Sequence, residues 1–189
     1  MPDNVTLRVI CDEHRALASV LRSLQSHLAD TACLSIQPDF QLIRSMLFYV
    51  DEFPERQHHK KESELLFPKI RARCLEARDL MDQLDTEHER GEYAIRNLEH
   101  EFLAYEVMGE SRRASFEAAT DRYVDFYLEH MRLEESRVLP LAMQVLTADD
   151  WRELDDAFSG NQDPLLSNDA AQPYRTLYAQ LDAQRQQCR

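Results

Sequence analysis

The sequence predicts an all-α protein, an antiparallel up-down-up-down four-helix bundle with a short helical C-terminal extension. Three observations carry that expectation. Glycine is scarce, with only three in 189 residues, and long charged stretches with few β-branched runs suit helices better than sheets. Four long segments repeat apolar residues at the three-to-four spacing of a single helix face. The breaks between them are short, and short connections place successive helices side by side and antiparallel.

The first segment covers residues 4–29, where Leu7, Ile10, Leu17, Val20, Leu21, Leu24 and Leu28 form an apolar stripe. The stretch DTACLSIQPD interrupts it. A second segment starts near Pro38, a good first-turn residue, and runs to residue 74; Pro54 and Pro68 inside it predict kinks or local breaks. The third covers residues 77–107. After a loop around Gly109 the fourth runs over residues 111–146, with Pro140 near its end. TADDWRELDDAF then reads as a short capped helix, with Thr147 at the N-cap and Asp150 three residues on. NQDPLLSND is loop, and PYRTLYAQLDAQ predicts a last amphipathic helix that covers one side of the bundle or pairs with a partner. The chain thus divides into a bundle, residues 1–146, and a helical extension, residues 147–189. Phe48, Tyr49, Tyr93, Phe102, Phe126 and Tyr127 are expected in the bundle core.

Charge and composition narrow the function classes. A formal net charge of −13 repels phosphate backbones, so nucleic acid and anionic membranes are not expected partners. No apolar run approaches the roughly 20 residues that span a bilayer. The opening MPDNVTLRVI lacks the basic and apolar regions of a signal peptide. Cys11, Cys33, Cys74 and Cys188 show no C-x-x-C spacing, which predicts free thiols in a reducing compartment, hence a cytoplasmic protein. Cys11, one turn before His14, reads as a packed thiol.

The sequence writes one phrase twice. Residues 58–68 read HHKKESELLFP and residues 130–140 read HMRLEESRVLP, each with histidine first, glutamate four positions on and proline last. Residues four apart share a helix face, so His58 with Glu62, and His130 with Glu134, present a nitrogen and a carboxylate in the same direction. Laid antiparallel, the four helices bring His14, His58, Glu62, His88, His130 and Glu134 to one level, roughly 15–24 Å from the end where the first helix begins. Glutamates in a bundle core cost several kcal/mol each unless paired or coordinated. Two divalent metals would remove that cost, and imidazole with carboxylate suits iron, with manganese or zinc as alternatives. His88 with Glu92 repeats the spacing a third time. His27 and His100 rotate off this face and are expected to bind nothing.

With these residues in hand, the chain resembles the hemerythrin-like (HHE cation-binding) family over residues 5–146. The motifs that carry the resemblance are EHRAL around His14, HHKKESELLFP, EHERGEY around His88, and HMRLEESRVLP. The resemblance implies a four-helix bundle holding a non-haem di-iron centre, oxo- or hydroxo- and carboxylate-bridged. Glu62 and Glu134 would bridge the irons, and His14, His58, His88 and His130 would be terminal ligands. Two departures stand out. Oxygen-carrying members have a second histidine one turn along the third helix, where this chain has Glu92. The fourth helix has glutamate where they have aspartate. One iron therefore lacks a ligand, takes Glu92, keeps an open position, or takes His59, although the next side chain round a helix points about 100° away. Both changes argue against reversible oxygen transport.

The expected function is binding or sensing of a small diatomic ligand, oxygen or nitric oxide, at this centre. The alternatives are a di-iron redox enzyme (reducing peroxide or nitric oxide, or repairing damaged iron centres) and a metal-storage or structural bundle. No nucleotide motif or nucleophile constellation is visible, which favours binding over turnover. A ferritin-like site would need Glu-x-x-His on two helices; Glu55 with His58 provides only one. A homodimer is left open.

Overall fold

The computed structural model describes residues 4–160, 163–166 and 179. The last predicted helix, in residues 173–184, falls outside them apart from residue 179, as does Cys188. Every element among the described residues is helical. None of these helices is long and apolar enough to cross a membrane.

The first rod is α1, Val5–Cys33. Asn4 caps it by accepting a hydrogen bond from the Leu7 N–H at 3.0 Å, and it runs four residues further than the predicted segment, which ends at residue 29. The second rod starts at Phe40 with Asp39 at the cap, so Pro38 lies before the first turn and not in it. It alternates between α and the wider π-helical turn: α2 (Phe40–Val50), a π segment (Asp51–His58), α3 (His59–Lys61), a second π segment (Glu62–Leu66) and α4 (Phe67–Arg73). A 3-10 turn, Leu75–Ala77, leads into the third rod, α5 (Arg78–Met108), which ends at Gly109 with φ +70°, a conformation glycine adopts without strain. The fourth rod is α6 (Arg113–Leu133), a third π segment (Glu134–Val138) and α7 (Leu139–Val145); α8, Ala148–Ser159, follows.

The prolines account for the π segments. Pro68 and Pro140 lack the N–H that an α-helix would use, and in each case the preceding residue reaches back five positions. Phe67 N–H bonds to the Glu62 carbonyl and Leu139 N–H to the Glu134 carbonyl. Pro54 sits inside the first π segment, where His59 N–H bonds to the Pro54 carbonyl. The expected kinks are therefore widened turns, two of which begin at the glutamates of the repeated phrase.

Cross-rod contacts run in opposite senses along two of the pairs. Between the first and fourth rods, His14 meets Glu135 and Gln25 meets Asp121. Between the second and third, Arg44 meets Glu106, His59 stacks on His88 and Arg71 meets Asp82. The core splits in two. One cluster holds Leu21, Met46, Leu98 and Phe116, and the other Ile10, Phe67, Met81, Val138 and Phe158. A buried polar layer sits at the level between them. Helix α8 closes the second cluster with Leu154 and Phe158, and Asp155 accepts hydrogen bonds from the Thr6 N–H and hydroxyl at 2.9 and 2.6 Å.

Two expected core aromatics are on the surface. Phe48 is 50% and Tyr93 72% exposed. Phe48 lies between Leu47 and Tyr49 on a helix whose inward face is already filled. Tyr93 is two residues from both Gly91 and Ile95, which face inward, so it points away and packs against the Arg96 guanidinium.

Candidate metal centre

The polar layer contains all six residues that the sequence singles out. His14 comes from α1, His58 and Glu62 from the second rod, His88 from α5, and His130 and Glu134 from the fourth, and all are buried. Two groups of ligand atoms, each within 4.8 Å of one another, fall out: His14, His58, Glu62 and Glu134 in one, His59, His88 and His130 in the other.

Both groups are built from imidazole nitrogens that face each other. Nε2 of His14 lies 3.1 Å from Nε2 of His58, and Nε2 of His88 lies 3.1 Å from Nε2 of His130. The opposite ring nitrogens are held from neighbouring rods. Nδ1 of His14 meets Glu135 at 3.1 Å, that of His58 meets Glu13 at 2.7 Å, and that of His130 meets Glu87 at 2.9 Å. Nδ1 of His88 meets the Ser63 hydroxyl at 2.9 Å. A carboxylate can only accept, so Nδ1 of His14, His58 and His130 carries the proton and donates. In the neutral ring Nε2 then offers a lone pair to the centre, as a metal-ligating histidine does. Each histidine is steadied by the rod before it, and the first by the last, so the supports close a ring around the bundle.

The two glutamates lie between the groups. Glu62 places Oε1 3.3 Å from Nε2 of His58 and Oε2 3.6 Å from Nε2 of His88. Glu134 places Oε2 3.2 Å from Nε2 of His14, and Oε1 3.5 Å from Nε2 of His130 and 3.8 Å from that of His88. These are close approaches without hydrogen-bond geometry. All four carboxylate oxygens are buried with no hydrogen-bond partner among the described residues. Orphaned buried carboxylates are too costly to keep unless a cation meets them, so the donor set fits metal ions.

Electrostatics point the same way. Burial works against positive charge on His58, yet Glu62 and Glu13 outweigh it and raise its pKa well above the ordinary value. His14 and His130 rise for like reasons, burial being overcome by Glu134 and Glu135 in one case and chiefly by Glu134 and Glu87 in the other. Burial would raise the Glu134 carboxyl, but His130, His14 and His88 hold it well below the usual range. The carboxylates favour positive charge on His14, His58 and His130, whereas burial and the neighbouring histidines push His59 well below its ordinary value.

Other expectations resolve clearly. Glu92 does not join the layer; it is exposed and pairs with Arg96 at 3.4 Å. His59, expected some 100° away, is buried and faces the third and fourth rods. His100 is exposed. Nε2 of His27 accepts the Asp39 N–H at 2.9 Å, joining the start of the second rod to the first. The outer carboxylates Glu13, Glu87 and Glu135 were missed, although two precede ligand histidines in the motifs EHRAL and EHERGEY. Each serves a histidine on another rod, and sequence adjacency hides that. A cleft of about 590 Å³ opens beside His59 and His88, with Glu55, Ser63, Asp85 and Glu92 also on its walls.

A helical bundle with two clusters of buried histidines and a pair of orphaned carboxylates between them is a cation-binding bundle. The chain matches the hemerythrin HHE cation-binding domain over residues 5–142 and belongs to that family. A comparison with curated proteins finds no match.

Proposed function

We propose that the protein is an antiparallel four-helix bundle that holds two iron ions bridged by Glu62 and Glu134, and that it binds or senses oxygen or nitric oxide there. The observation that carries the reading is the aim of the carboxylates, each with one oxygen toward the His14/His58 group and the other toward the His88/His130 group. His14, His58, His88 and His130 would be the terminal ligands. When bound, a reduced iron pair supplies electron density to a diatomic ligand. The protein's own residues orient the imidazoles, keep bulk water from the buried faces and admit small molecules through the cleft beside His88. The free thiols Cys11, Cys33 and Cys74 support the cytoplasmic placement.

Iron content and the visible spectrum of anaerobically reduced protein, before and after gas is added, test this reading. Near two irons per chain and a charge-transfer band that appears with oxygen or nitric oxide are expected. A spectrum indifferent to either gas overturns binding and sensing. Rapid repeated turnover with a reductant favours a redox enzyme instead. Replacing both Glu62 and Glu134 by alanine is expected to abolish two-metal binding, measured by metal analysis after gel filtration; two retained irons would remove the bridging role.

A further inference from the structure

The second group of nitrogens contains a residue outside the repeated phrase's histidine-glutamate pairs. One ring nitrogen of His59 lies within 4.8 Å of nitrogens of both His88 and His130. Its ring stacks on His88 with centroids 4.3 Å apart and planes at 16°, and on Tyr127 at 5.5 Å and 5°. The other face of the bundle explains how two consecutive residues both reach the layer. His58 turns toward the first rod and His59 toward the third and fourth, at the point where the first π segment ends.

A second set of contacts holds His59 in that place. Nδ1 of His59 lies 3.3 Å from Oε2 of Glu55, one turn earlier. The other Glu55 oxygen accepts hydrogen bonds from the hydroxyls of Tyr123, at 2.8 Å, and Tyr127. The Tyr127 hydroxyl fills the space where a side chain at Gly91 would begin, and Glu55 borders the same space. The contact resembles those that Glu13, Glu87 and Glu135 make with the other histidines, a carboxylate against Nδ1 of the ring.

We propose that His59 is a metal ligand, completing with His88 and His130 a three-histidine site on the cleft side, and that Glu55 positions it from the space Gly91 leaves open. The proposal rests on the metal-centre reading above and deepens it. Glu92 has no part in coordination. The two metal positions become unlike: His14 and His58 serve one, while His59, His88 and His130 serve the other, and both share Glu62 and Glu134.

Cobalt(II) titration of the full chain, followed by its visible absorption, tests this without reference to activity. The unaltered chain is expected to take two ions. His59→Gly is expected to keep one ion at unchanged affinity and bind the second at least about tenfold more weakly, with millimolar imidazole restoring it. Glu92→Gln is expected to match the unaltered chain. Glu55→Gln is expected to weaken the second ion by about 10- to 100-fold and, at saturating cobalt, to shift that ion's absorption band. Two ions bound by His59→Gly as tightly as by the unaltered chain would overturn the ligand role, as would a weakened site indifferent to imidazole. An unshifted band in Glu55→Gln removes the positioning role. Fewer than two ions on the unaltered chain would instead sink the paired-centre reading itself.

Discussion

A histidine ligand needs its second nitrogen occupied, and the carboxylate that occupies it sets both the tautomer and the basicity of the first. Glu87 does this for His130 from another rod, and contact with that imidazole lowers its own pKa. Glu87→Gln is therefore expected to leave the fold intact and weaken metal binding by about 10- to 100-fold; isothermal titration showing unchanged affinity would count against it. Gly91 raises a purely steric matter. Its missing side chain is where the Tyr127 hydroxyl lies, so Gly91→Ala must displace a buried tyrosine. We expect a loss of about 1–3 kcal/mol in chemical denaturation; wild-type stability would show that the ring moves aside freely. Neither role is legible in the sequence, because Glu87 and Gly91 both act on partners distant in the chain, His130 and Tyr127.

The elements were easier to read than their local geometry. Apolar periodicity placed the four rods and most of the core, since burial of one face dominates helix position. The ends were less exact: α1 runs on to Cys33 and the second rod begins one residue past Asp39. Proline signalled disturbance at residues 54, 68 and 140 but not its form. Only the backbone shows that the residue before Pro68 and before Pro140 reaches back five positions, and only the packed side chains show that His58 and His59 face different rods. The capping box of α8 was legible in full, with Thr147 and Asp150 satisfying each other's backbone. Hydrogen bonds from the Thr147 side chain and backbone, then Arg73, pull Asp150 down to about 2 from its ordinary 3.8. A depressed carboxylate contributes stability that is complete above its ordinary pKa and is lost as pH falls through the folded value. Asp150→Asn should thus lower the melting temperature at pH 7, by a cap's worth of about 1 kcal/mol, and have no effect below about pH 2. An equal loss at both pH values would contradict this.

At the scale of the whole molecule, the layer divides one core into two and ties four rods together at its waist. It holds two buried carboxylates whose oxygens lack hydrogen-bond partners among the described residues, and under the proposed metal centre an ion there would be bonded from all four rods. Binding of an ion to the folded state alone stabilises it by about 4 kcal/mol at a thousandfold excess over Kd. Chelation is therefore expected to lower the melting temperature by several degrees, read by circular dichroism, with the six-residue layer and not α8 as the region that loosens. An unchanged melting curve after verified metal removal would mean that the layer stabilises nothing.

The ring of supports also has an order in time. Chains emerge N-terminus first. When residue 108 has left the ribosome, the Glu13–His58 and Ser63–His88 links can form, but the links through His130 and Glu135 do not yet exist. Glu134, one of the two shared carboxylates, is also still to come. Three finished helices thus make half a cage. Donors from all four rods are together only once residue 135 has emerged.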